Sequence, residues 1–133
     1  MAKLEHPHPT GLFQNPAYSH VVAASGTRTI YISGQVALDE KGAIVGAGDL
    51  SAQTTQVMKN IGLALAAANA TFSDVAKITT YVVNYRPEHR AIIAKARTPF
   101  FANMPPPAST LVGVPALAAP EWLIEIEAIA VTG

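Results

Sequence analysis

The chain has 133 residues and no cysteine, and its nine Lys plus Arg balance nine Asp plus Glu. Such a length suits one domain spanning 1–133 that buries its own core. The missing cysteines exclude disulfides and thiolate metal sites, and the even charge, without a basic stripe, argues against a nucleic-acid partner. In chain order, His6-Pro7-His8-Pro9 reads as an extended arm. Residues 21–24 and 29–36 are rich in β-branched and aromatic side chains around Ser25-Gly26-Thr27, which predicts a β-hairpin. Residues 42–48 read as a loop or short strand. Val57, Ile61, Leu65 and Ala68 recur on one helical face, so 50–69 is a predicted helix, capped by Asp49 or Ser51 and closed by a left-handed Asn69. Residues 75–85 read as a strand. Pro87 suits the first turn of a second helix that turns Ile92, Ile93, Ala96 and Phe100 inward and is kinked or shortened by Pro99. Met104-Pro105-Pro106-Pro107 is a stiff connector, and 109–117 and 123–131 are two more strands. The order β-β-α-β-α-β-β argues for an α+β fold, a mixed β-sheet with both helices on one face.

Composition adds two expectations. Apolar residues make up 50% of the chain and charged residues only 14%, against roughly 25% in an ordinary soluble domain. Identical neighbours covering part of the surface would resolve that deficit. The first thirty residues carry no signal-peptide pattern and no apolar run is long enough to cross a bilayer, so a cytoplasmic protein without membrane partners is expected.

Little in the sequence carries chemistry outright. Along a strand, Glu125 and Glu127 share a face with Leu123 and Ile129, opposite Ile124, Ile126 and Ala128. Either that face meets water or a basic partner across the sheet, or it holds a carboxylate in a part-buried pocket suited to proton transfer. Gly34, in Ser33-Gly34-Gln35, either lets backbone approach a ligand or makes a bulge. His6 and His8 lack a nearby third ligand and read as a mobile tail, while His20 and His89 are isolated. No metal and no cofactor are expected, and no nucleotide-binding loop or hydrolase motif occurs.

The segments 107–117 and 123–131 resemble the signature of the RidA (YjgF) family of reactive imine/enamine deaminases. Tyr18, the strand Ile30-Tyr31-Ile32-Ser33-Gly34-Gln35, residues 52–69 and 74–82, and the pair Phe100-Phe101 follow the same plan, so the resemblance covers nearly the whole chain. It implies a chorismate-mutase-like fold and a homotrimer with small-molecule pockets in the clefts between subunits. Glu125 would lie in such a pocket as the catalytic carboxylate. Tyr18, Ser33, Gly34, Ser109 and Thr110 would line it. Active members hydrolyse 2-imino acids to 2-keto acids and ammonia, and a strand arginine after Pro-Ala grips the substrate carboxylate with two hydrogen bonds.

Here Pro107-Ala108 is followed by Ser109. Serine has no charge and cannot make the two-pronged contact. Losing such a charged bond costs on the order of 2–5 kcal/mol, tens- to thousands-fold in affinity. Arg86, stiffened by the following Pro87, is the candidate replacement cation. Three functions follow in order of preference: a hydrolytic imine/enamine deaminase with a changed anchor, a small-metabolite-binding trimer without turnover, and a ribonuclease or translation inhibitor, which the neutral charge disfavours.

Overall fold

Residues 2–133 are described by the computed structural model. The chain runs β1 (Lys3–Glu5), β2 (Ala23–Ser25), β3 (Arg28–Gln35), α1 (Leu50–Ala67), β4 (Val75–Val83), α2 (His89–Arg97), β5 (Ala108–Val114) and β6 (Ile124–Thr132). Single 3₁₀ turns occupy Phe72–Asp74 and Thr98–Phe101. The strict alternation of β6 makes it the organising strand: Ile124, Ile126, Ala128 and Ala130 are buried, and the residues between them are half-buried. It lies inside a four-stranded sheet ordered β3-β6-β4-β5. Its pairings with β3 and β4 are antiparallel, whereas β4 and β5 are parallel. Parallel neighbours need a long crossover, which α2 and the proline-rich segment provide. The result is the expected α+β arrangement with a mixed sheet and two helices.

The core forms where Val57, Met58, Ile61 and Leu65 of α1 and Ile93 of α2 meet Ile78, Val82, Ile124 and Ile126. Both helices therefore cover one face of the sheet. The Asp49 carboxylate caps α1 by accepting from the Ala52 N–H at 3.0 Å, and Asn69 takes the left-handed conformation (φ 57°). Pro99 sits where α2 tightens into the Thr98–Phe101 turn.

Several sequence expectations change. The hairpin does not form. β2 pairs with β1, while β3 pairs with β6. Between them the chain wraps the end of β6, with Thr27 N–H bonded to Thr132 O at 3.0 Å, and a Cβ on Gly26 would lie 2.6 Å from that same oxygen. The final two strands are likewise separated in the sheet, by β4. The N-terminal arm is tied down: Lys3–Glu5 is a strand and His6 Nδ1 lies 3.0 Å from Ser19 Oγ. Pro87 precedes α2 by a turn, and Ile92 is 38% exposed because Ile93 takes the inward position. β4 stops at Val83, before Asn84 in a left-handed conformation (φ 48°), and Pro115 follows the end of β5.

Candidate functional site

The candidate residues fall into two groups. The first is built on the face of the sheet that the helices leave bare. Glu125 and Glu127 rise from β6 opposite Tyr81 and Thr79 of β4. The two carboxylates differ in environment. Glu127 accepts a hydrogen bond from the Tyr81 hydroxyl at 2.9 Å. That bond raises the Tyr81 phenol above its ordinary value, with burial and the charges of Glu127 and Glu125 acting in the same direction. Glu125 has no hydrogen-bond partner among the described residues; its side chain lies across Gly34 instead. A Cβ at position 34 would meet the Glu125 carboxylate carbon at 2.7 Å and its Cγ at 2.8 Å. Gly34 also lies within a register shift of β3 between Ile32 and Gln35. The bulge reading of this glycine therefore holds, and the group lying close against its backbone is the chain's own Glu125.

Two amides of α1, the buried Gln53 and the half-buried Asn60, fix this half of the site. Gln53 of α1 accepts from Leu123 N–H at 2.9 Å and donates to Glu121 O at 3.0 Å, setting the start of β6 just before Glu125. Asn60 donates to Val36 O and Leu38 O at 3.0 and 2.9 Å, holding the chain that leaves Gly34. Both amides sit on the inward side of α1, where a polar group must find partners.

The second group lies at the β5 edge, on the helix side. Ser109 pairs in register with Ile78, whose side chain is buried. The outer edge of β5 is bridged by Ser19, whose N–H bonds Pro107 O at 3.1 Å and whose hydroxyl bonds Pro106 O at 2.5 Å. This anchors Tyr18 beside Ser109. Tyr18 and Ser109 line one open cavity of about 380 Å³ together with Tyr85, Arg90 and Arg97. Thr110 points the other way and accepts from Lys77 Nζ at 2.7 Å.

The structure thus brings Tyr18 to Ser109 and Gly34 to Glu125, but Glu125 lines neither of the cavities that Ser109 lines. Ser33 is exposed on β3. Arg86 is exposed, paired with Glu88 at 3.2 Å, and does not line the Ser109 cavity. The cations at that cavity are Arg90 and Arg97, which the sequence reading passed over. A signal for Arg97 exists: it stands four residues after the buried Ile93, on the inward stripe of α2, where a charge is out of place. Among the described residues no cluster of His, Asp and Glu could hold a metal ion, and no helix is long and apolar enough to cross a membrane.

Residues 12–132 match the family model described as Endoribonuclease L-PSP. The rat (Rattus norvegicus) 2-iminobutanoate/2-iminopropanoate deaminase is 35% identical over 118 residues, covering 88% of this chain and 81% of the rat protein. The crystal structure of the Rid-family protein YyfB from Yersinia pestis, of unknown function, superposes with a TM-score of 0.92 at 42% identity, covering 96% of this chain and 98% of that one. Escherichia coli TdcF, solved with bound serine, is more distant, with a TM-score of 0.69 at 26% identity over 79% of this chain and 81% of TdcF. A family match over almost the whole length, deaminase relatives and Rid-family neighbours in structure agree with the separate glutamate and serine edges described above: this chain belongs to the RidA/YjgF family.

Proposed function

We propose that the chain hydrolyses a small reactive imine, or its enamine tautomer, to a carbonyl compound and ammonia, in clefts formed when copies of the chain assemble as a trimer. The observation that carries this reading is the difference between the two glutamates. Glu127 is occupied by Tyr81, whereas Glu125 is an unengaged carboxylate laid over Gly34 on a face that the chain itself does not cover. An assembly that sets the Tyr18–Ser109 edge of one copy against the Glu125–Gly34 face of the next would complete a pocket from two incomplete halves.

In that pocket Glu125 accepts a proton from water as the water oxygen bonds to the imine carbon. Glu125 returns that proton to the nitrogen, giving a carbinolamine; the second water proton then passes from the new hydroxyl through Glu125 to the nitrogen as the carbon–nitrogen bond breaks and the carbonyl forms. Water is consumed, ammonia leaves, and no redox partner is needed. The deaminase relatives support the reaction class. Tyr18 and the Ser109 hydroxyl would orient the substrate, and Ser33 would add backbone or hydroxyl contacts from the other half.

Ser109, uncharged where active members carry arginine, favours one competing reading, a trimer that binds a metabolite without turning it over. One experiment separates them. A dehydratase generates 2-aminoacrylate or 2-iminobutanoate, a trapping reagent reports what remains, and decay is followed with and without this protein. Accelerated decay supports the deaminase; unchanged decay alongside measurable ligand binding hands the cleft to the second reading.

A further inference from the structure

Arg97 has no ion-pair partner among the described residues, where the ion pairs are Lys3–Glu5 and Arg86–Glu88. Its Nη1 reaches only the hydroxyl of buried Thr80, at a long 3.5 Å. Arg97 and Ser109 each line both the cavity shared with Tyr18 and a second one of about 140 Å³. No acidic side chain lines either cavity. Removing a cation from water without a counter-charge is unfavourable, and burial accordingly pushes the Arg97 guanidinium below its ordinary value. The C-terminal end of α2 favours a positive charge there, but it offers no two-pronged partner.

We propose that Arg97 is the anion anchor of this chain: entering from α2, its guanidinium and the Ser109 hydroxyl hold the carboxylate of a small ligand. The replacement of a strand arginine by serine then relocates the charge. Serine at position 109 opens the space, and a helix arginine fills it from the other side. Arg90 and Arg97 lie two turns apart on one face of α2, with the small Ala94 between them on the same cavity wall. Arg90 is exposed and raises the positive potential at the mouth without closing the floor. Cavities of about 140 and 380 Å³ restrict the ligand to a small molecule. That the anion is a carboxylate on an imine rests on the function proposed above; the anion site itself rests on Arg97.

Binding and turnover are therefore measured separately, on the full chain. Calorimetric titration uses 2-oxobutanoate, a stable small carboxylate, and its neutral amide. The acid should bind at least tenfold more tightly than the amide. Arg97→Met should erase that preference, and Lys95→Met, which removes an equal charge from the same helix, should leave it. Arg97→Lys keeps the charge but loses the planar fork and should weaken the acid several-fold. In the double variant Arg97→Met/Ser109→Arg, carboxylate preference should return. Equal binding of acid and amide by the parent protein overturns the proposal, as does undiminished acid binding in folded Arg97→Met. Dissociation or unfolding of Arg97→Met without recovery in the double variant also overturns it, since Arg97 would then be a structural cation. An intact Arg97-dependent preference without imine turnover sinks the deaminase instead and leaves the anchor standing.

Discussion

The two faces of the central sheet are made by the same strands and have opposite chemistry. On the covered face, β6 contributes Ile124, Ile126, Ala128 and Ala130, and the polar exceptions find partners: Gln53 and Thr54 are buried and hydrogen-bonded. On the bare face the same strand carries Glu125, Glu127 and Ile129, beside Tyr81, Val112 and a Tyr31 that is 77% exposed. An exposed surface combining aromatic, aliphatic and acidic groups is poorly suited to water alone. The comparison teaches that the chain closes only one face of its sheet: its own helices cover that face, and the other is left bare, as the proposed assembly requires.

The sharpest way to break that comparison is to spoil each face in turn. Ile126→Ala, on the covered face, should destabilise the fold by about 2–5 kcal/mol, read by denaturant unfolding. Ile129→Glu, on the bare face, should leave a folded chain but abolish assembly and, with it, all turnover. Light scattering on the parent should give about three times the 13.9 kDa chain mass, and the Ile129→Glu variant should return to one. A parent that stays monomeric at micromolar concentration ends the trimer reading.

Within the bare face, the glutamates should separate by function. Glu125→Gln removes the unengaged carboxylate and should lower turnover by about 10²–10⁴-fold, the usual worth of a positioned acid–base group. Glu127→Gln, whose partner is Tyr81, should cost less than about tenfold on the same scale. Equal, mild losses in the coupled imine-decay assay would reduce both residues to a wet surface.

A smaller effect follows from Gly34. Alanine there places a methyl group against the Glu125 side chain, which must swing away. Gly34→Ala should therefore lower turnover about tenfold or more, within the range of one displaced acid–base group, while the unfolding midpoint barely moves.

The smallest effect is a titration. Because Glu127 raises the Tyr81 phenol, one of the four tyrosines should ionise later than the rest in ultraviolet absorbance, and Glu127→Gln should bring it back. The sign for stability follows from the protonated phenol being favoured in the fold. The contribution is present below about pH 10, the ordinary tyrosine value, and is lost as pH rises through the higher folded value. Tyr81→Phe should remove that alkaline slope.

Which side chains face where was legible in the sequence; which strands meet was not. The alternation from Ile124 to Ile129 and the Asp49 cap and Asn69 stop are local signals, decided within a few residues, and the structure follows them. The hairpin at Gly26 failed because a glycine turn between two β-branched runs does not reveal that a distant strand, β6, occupies the edge of β3. The glutamate pair was legible as a shared face, but the difference between its members depends on Tyr81 and Gly34, each brought there by pairing across the sheet. Family resemblance drew attention to Ser109. It could not reveal Arg97, because a compensating charge on another element keeps no fixed spacing from the residue it replaces.

The inside position of β6 also governs how the molecule comes into being. β3 and β4 are made early, yet neither pairs with the other; each waits for residues 124–132 to fill the gap between them. Until that segment leaves the ribosome, a nascent chain lacks the strand that pairs the facing edges of β3 and β4 and that packs beneath α1. Such a topology, dominated by partners far apart in sequence, folds slowly and relies on protection from premature association. Emergence of residues 124–132 is thus the step at which the core can close and the Glu125 face first forms.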